Sequence, residues 1–169
     1  MNTPIVVQSS SNKKGNTHAL IEEVFKDTPP IFIRISEHKI SFVSETGSYS
    51  ENDEFSSLLK LLVRKNNIVL ATPVYFSSVS GIMKNFIDRF YDVKKDSDIY
   101  KKLATKKLFV LATGEGLLMP QGFEVPFESM AKHLKMEYKG ILYKSNKMPM
   151  TDSYFTELKD KFLEQYYAQ

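Results

Sequence analysis

The sequence contains no cysteine, which excludes disulfides, thiolate nucleophiles, cysteine-ligated zinc and iron–sulfur clusters. Any redox chemistry must therefore come from a bound cofactor, and the absence fits a reducing compartment. Histidine is scarce: His18, His38 and His133 are widely separated, and no pair stands at metal-ligand spacing, so no protein metal site is expected. No apolar run approaches the ~20 residues of a membrane span, and Met1 to Val7 lacks the basic flank and apolar stretch of a signal peptide. A cytoplasmic chain with no membrane partner is the expectation. A block of one charge is also missing: 23 basic against 20 acidic residues leave a formal +3 with the lysines scattered, so nucleic acid is not indicated.

What is present describes one folded unit. With 42% hydrophobic and 25% charged residues, the 169-residue chain is apolar enough to fold, and a single domain over 1–169 is expected to bury about 70% of its unfolded surface. Branched apolar runs at Pro4 to Val7, Ile31 to Ile35, Ile68 to Ala71, Lys107 to Ala112 and Tyr138 to Tyr143 read as buried strands. Between them, apolar residues at helical spacing predict helices over Thr17 to Lys26, Glu54 to Arg64, Val79 to Tyr91, Glu124 to Met136 and Ser153 to Tyr167. Such alternation with short loops implies parallel pairing and helices on both faces: a doubly wound α/β sheet of five strands in the order 2-1-3-4-5. The polar stretch Ser36 to Asn52 reads as a loop insertion. Asp88 and Arg89 read as a solvated helix face or an interface pair.

In such a sheet ligands bind beyond the carboxyl ends of the strands, where the strand order reverses. Three connections lie there. The first carries Ser9, Ser10, Asn12, Gly15, Asn16 and Thr17: hydroxyls, one glycine, and a helix start whose free N–H groups favour an anion. It has neither the Walker A ending nor the dinucleotide glycine fingerprint, so a mononucleotide phosphate fits better. The second, with Pro73, Val74, Tyr75, Phe76 and Ser77, puts two aromatic rings and several amides at a strand end, where a flat ring can rest. The third, Thr113, Gly114, Glu115 and Gly116, has two glycines that permit close backbone approach. Each has a plainer reading as well: a Ser/Asn-rich turn with a helix cap, aromatics packed beneath the next helix, and an ordinary strand-to-helix turn.

Taken together, Ser-Ser-Ser-Asn-Lys-Lys-Gly-Asn-Thr (9–17), Ala-Thr-Pro-Val-Tyr-Phe-Ser-Ser-Val-Ser-Gly-Ile-Met-Lys-Asn-Phe-Ile-Asp-Arg-Phe (71–90) and Thr-Gly-Glu-Gly (113–116) resemble the NADPH-dependent FMN reductase family of flavodoxin-like proteins. The resemblance implies a flavodoxin-like three-layer sandwich, FMN as cofactor, and NADPH or NADH as donor. It also implies a quinone, flavin, azo or nitro compound as small-molecule acceptor, and a homodimer or higher homo-oligomer. By the same resemblance Ser10, Asn12, Asn16 and Thr17 hold the FMN phosphate, Pro73 to Phe76 line the ring, and Gly114 to Gly116 close its other side. No side chain is expected to be catalytic, since the flavin N5 carries the chemistry. The chain departs from the family's usual Gly-Ser-Pro-Arg, with Ser9 in place of the glycine and Asn12 in place of the basic residue, and Ser36 to Asn52 lacks the cysteines of the cluster-bearing branch. Two other uses of the fold stand beside this one: a flavodoxin-type electron carrier, which the weakly basic charge argues against, and a flavin-free binding module.

Overall fold

The computed structural model describes residues 3–95 and 97–168. In chain order the elements are β1 (Ile5–Gln8), α1 (Asn16–Val24), β2 (Ile31–Arg34), α2 (Phe55–Leu62), β3 (Asn67–Tyr75) and β4 (Ser78–Val79). They continue with α3 (Gly81–Asp88), α4 (Asp98–Leu103), β5 (Lys107–Gly114), α5 (Val125–Leu134), β6 (Glu137–Ser145) and α6 (Ser153–Tyr167). The five longer strands form one parallel sheet in the order β2-β1-β3-β5-β6, which is the expected 2-1-3-4-5 once the two-residue β4 is set aside.

Alternation along the strands divides the core. Val7, Leu70 and Val110 face α2, α3 and α5, while Val6, Val69 and Phe109 lie beneath α1 and α6. Phe55, Phe86 and Phe90 meet edge to face at 5.3–5.6 Å on the first side. Phe109 meets Phe162 and Tyr166 in the same manner on the second. Burying each such ring contributes about 1.5–3 kcal/mol, so both helix layers are held chiefly by apolar area. No helix among the described residues is long and apolar enough to cross a membrane.

Several boundaries differ from the sequence pattern, each for a local reason. β3 and β5 run on through Thr72 to Tyr75 and Thr113 to Gly114, because the pairs Thr72↔Ala112 and Pro73↔Thr113 extend the ladder into what reads as loop. Val79 is drawn into β4 opposite Val74, so α3 starts two residues later, with Ser80 as its cap. Helix α4 adds to the helices expected from the apolar pattern; Ser97 caps it by accepting the Tyr100 N–H at 3.2 Å.

The polar segment after β2 is organised around Arg89, which turns inward and is 3% exposed, neither a solvated face nor an interface group. Its Nη1 donates to Asp53 Oδ2 at 2.7 Å and to the Ser41 carbonyl at 3.1 Å, while its guanidinium lies 3.5 Å from the Tyr49 ring centre. The Tyr49 hydroxyl in turn donates to Asp92. Burial raises the Asp53 carboxyl, but hydrogen bonds from Arg89 and from the Ser41 and Phe55 amides outweigh it and hold the group down at about 2. Asp88, by contrast, stays at the surface, paired with Lys84 at 2.6 Å.

Candidate functional site

The first connection is a turn held by its own polar groups. Asn12 Oδ1 accepts the Lys14 N–H at 3.0 Å, an Asx turn, and its carbonyl accepts the Gly15 N–H at 3.2 Å. A Cβ at residue 15 would stand 3.2 Å from Asn12, so glycine keeps the turn this tight. Gly15 is also the N-cap of α1 and offers no side-chain acceptor, so the amides of Asn16, Thr17 and His18 begin the helix without a side-chain cap. Asn16 is exposed beside them and Ser10 is nearly buried.

Two hydroxyls of this stretch turn into the fold. Ser9, 2% exposed, lies 2.8 Å from Ser80 Oγ, and Thr17 Oγ1 lies 2.8 Å from Thr113 Oγ1. Lys13, beside the turn, is paired with Glu37 at 2.5 Å.

The second connection is a hairpin. Phe76 and Ser77, between β3 and β4, have φ of 48° and 61°, the left-handed pattern of a type I′ turn. A bulky side chain in that region is strained. Yet Phe76 is fully exposed and Tyr75 is 58% exposed, so neither ring is packed beneath α3.

The third connection is tied to β6. The Tyr143 hydroxyl donates to the Gly116 carbonyl at 2.7 Å, Asn146 Nδ2 donates to Glu115 at 2.8 Å, and the Asn146 N–H donates to the Gly114 carbonyl at 2.7 Å. Burial and the nearby Glu115 charge both raise the Tyr143 hydroxyl, which keeps it a donor. A Cβ on Gly114 would meet the Tyr143 hydroxyl at 2.9 Å and Val74 at 3.1 Å, so glycine lets both neighbours stand this close.

Three cross-contacts therefore bring the connections to one edge of the sheet: Ser9 to Ser80, Thr17 to Thr113, and Gly114 against Val74. An open helix start rich in N–H donors suits a phosphate, and exposed rings at a strand end suit a flat heterocycle. These are the two ends of a flavin mononucleotide, and the residues present fit it. Sequence reasoning assigned no role to Ser80, Tyr143 or Asn146. Ser80, directly before an apolar helical face, carried the usual sign of an N-cap; the other two act across the sheet and gave no local sign.

The family model for NADPH-dependent FMN reductase matches residues 4–125, which span all three connections. The chain belongs to this family. Its resemblance in sequence thereby becomes membership, and the reaction of an NAD(P)H-dependent FMN oxidoreductase, with FMN as cofactor, comes with it. Among relatives of this FMN reductase, YwqN of Bacillus subtilis (strain 168), provisionally named an NAD(P)H-dependent FMN-containing oxidoreductase, is 25% identical over 158 residues, covering 85% of each chain. The fold is similar to that of the Trp repressor binding protein from Bacillus subtilis, with a TM-score of 0.74, 18% identity and 99% of each chain covered. It is also similar to an FMN-dependent NADH-azoreductase from Bacillus anthracis str. Ames Ancestor in complex with FMN: TM-score 0.66, 10% identity, 97% of this chain and 99% of that one.

Proposed function

We propose that the chain works as one flavodoxin-like domain in which the three connections hold FMN for the two-electron reduction of a planar quinone, azo, nitro or flavin acceptor. Supporting this is one juxtaposition: the uncapped start of α1 and the exposed Tyr75–Phe76 hairpin stand at the same sheet edge, linked through Ser9 and Ser80. The amides of Asn16 to His18, with Ser10, Asn12 and Asn16, hold the phosphate; Gly15 lets the turn close. Backbone groups of Pro73 to Ser77 meet the polar edge of the ring, Tyr75 and Phe76 shield it and the incoming acceptor from water, and Gly114 to Gly116 close the far side. Ser9, Thr17 and Thr113 act from behind, keeping the connections in register. Held there, FMN would supply the redox chemistry, a two-electron acceptor for hydride from NADPH or NADH and a donor to the acceptor.

The azoreductase neighbour's name supports an aromatic acceptor, and the absence of cysteine supports the cytoplasm. Exposed Phe42 and Tyr91 support a homodimer built on the α3 side; sedimentation showing only monomer at micromolar concentration contradicts that part.

The test is an anaerobic titration of the FMN-loaded protein with NADPH and then NADH, followed by steady-state rates with a quinone and an azo dye. Bleaching of the oxidised-flavin band and parallel lines with varied acceptor are expected, because donor and acceptor use one slot in turn. Binding without bleaching would mean an electron carrier, and intersecting lines would rule out the shared slot.

A further inference from the structure

Between the phosphate end and the ring end of this site runs a buried line of hydroxyls. Ser9, Thr72 and Ser80 are 2%, 0% and 3% exposed. Ser9 Oγ lies 2.8 Å from Ser80 Oγ, Ser80 Oγ lies 3.1 Å from Thr72 Oγ1, and Thr72 Oγ1 lies 3.0 Å from the Pro73 carbonyl. Ser80 Oγ also accepts the Met83 N–H at 3.3 Å as the cap of α3, and Thr72 Oγ1 accepts the Ser80 N–H at 3.3 Å.

Each hydroxyl has one proton and two acceptor sites, which limits the arrangement to two directions. In one, protons point from Ser9 to Ser80 to Thr72 and end on the Pro73 carbonyl at 3.0 Å. In the other they run back and end on the Ala71 carbonyl, at 3.4 Å from Ser9. The Thr72–Ser80 bond has Thr72 Oγ1 as its donor, which selects the second. Either way no hydroxyl is left unpaired, and a fully satisfied buried chain of this kind is rigid.

The chain joins Ser9, which opens the phosphate turn, to Thr72, the residue before the ring-lining stretch, and to the helix that follows the hairpin. A residue without a hydroxyl at position 9 would leave Ser80 capping α3 but not tied to β1.

Resting on the FMN reading above, we propose that Ser9 and Ser80 are positioning residues whose hydroxyl bond fixes the distance between the phosphate turn and the ring hairpin, so that the protein selects the phosphorylated flavin over riboflavin. Neither touches the cofactor's reacting atoms. Their action is on where the phosphate turn sits, and it shows only when a flavin spans both ends.

Dissociation constants for FMN and for riboflavin, from quenching of flavin fluorescence, test this with Ser9→Ala, Ser80→Ala and a remote core variant, Phe109→Leu. Ser9→Ala is the decisive one, because it removes the tie while leaving the α3 cap in place. For Ser9→Ala the FMN constant rises about tenfold, the size expected for one lost hydrogen bond, while the riboflavin constant stays within about twofold. Ser80→Ala behaves alike with a lower melting temperature, and Phe109→Leu lowers the melting temperature without changing the FMN-to-riboflavin ratio. Equal weakening of both flavins by Ser9→Ala, or no weakening of FMN, overturns the proposal while leaving the FMN site standing. If the unaltered protein binds neither flavin, the functional reading falls and this inference falls with it.

Discussion

Two polar segments leave the carboxyl ends of neighbouring strands, and they have opposite characters. The one after β2 closes on itself: a buried guanidinium lies against a carboxylate, a carbonyl and two aromatic rings around Arg89, its Nη1 hydrogen-bonded and its Nε left without a hydrogen-bond partner. The one after β1 leads instead to a helix start without a side-chain cap, facing a hairpin with exposed rings in strained backbone. Both are rich in serine, so serine content does not separate them. What does is which groups stay open to solvent: the first buries its guanidinium and carboxylate as a structural clasp, the second leaves the amides at the start of α1 without a side-chain cap.

Altering the clasp should cost stability and leave flavin affinity nearly untouched. Arg89→Ala strands the Asp53 carboxylate in a buried position and should lower unfolding free energy by about 3–5 kcal/mol in urea titrations; an effect below 1 kcal/mol would show that the clasp is ornamental.

The next largest effect comes from acid. The Asp53 carboxyl titrates at about 2 in the folded chain against an ordinary 3.8. Between those values the unfolded chain binds the proton and the folded chain does not, so stability falls as pH drops through the window and the contribution is gone below about pH 2. A loss of about 2 kcal/mol is expected, and it should vanish in Asp53→Asn when urea midpoints are compared across that range.

At the site formed by the segment after β1 and the hairpin it faces, the signs reverse. Phe76→Asn relieves a left-handed phenylalanine and removes an exposed ring, so stability should rise by about 1 kcal/mol while FMN affinity or turnover falls. Smallest of all in stability is Ser10→Ala, expected within about 0.5 kcal/mol of the parent by thermal melting, yet with FMN binding measurably weaker. If Ser10→Ala destabilised like Arg89→Ala, the two segments would not differ as described.

Much of this was legible in the sequence. The strands stood out as branched apolar runs; Thr17, expected on the phosphate, shares the buried stripe of Leu20, Ile21 and Val24, so its burial follows from helical spacing. Ser9, two residues beyond Val7, continues one face of β1, so its burial follows from period two. Other features had no local sign. Arg89 depends on Asp53, which no spacing rule connects to it, and the left-handed turn at Phe76 and Ser77 uses neither glycine nor asparagine. The role of Gly114 was visible only as close approach; that the approaching group is Tyr143, from the neighbouring strand, required the sheet register.

The contrast between the two segments can be measured at once by amide hydrogen exchange with and without FMN. The account predicts slower exchange on FMN addition at residues 10–19, 74–78 and 114–116, with residues 41–52 unchanged. Protection confined to 41–52, or absent from the first turn of α1, would contradict it.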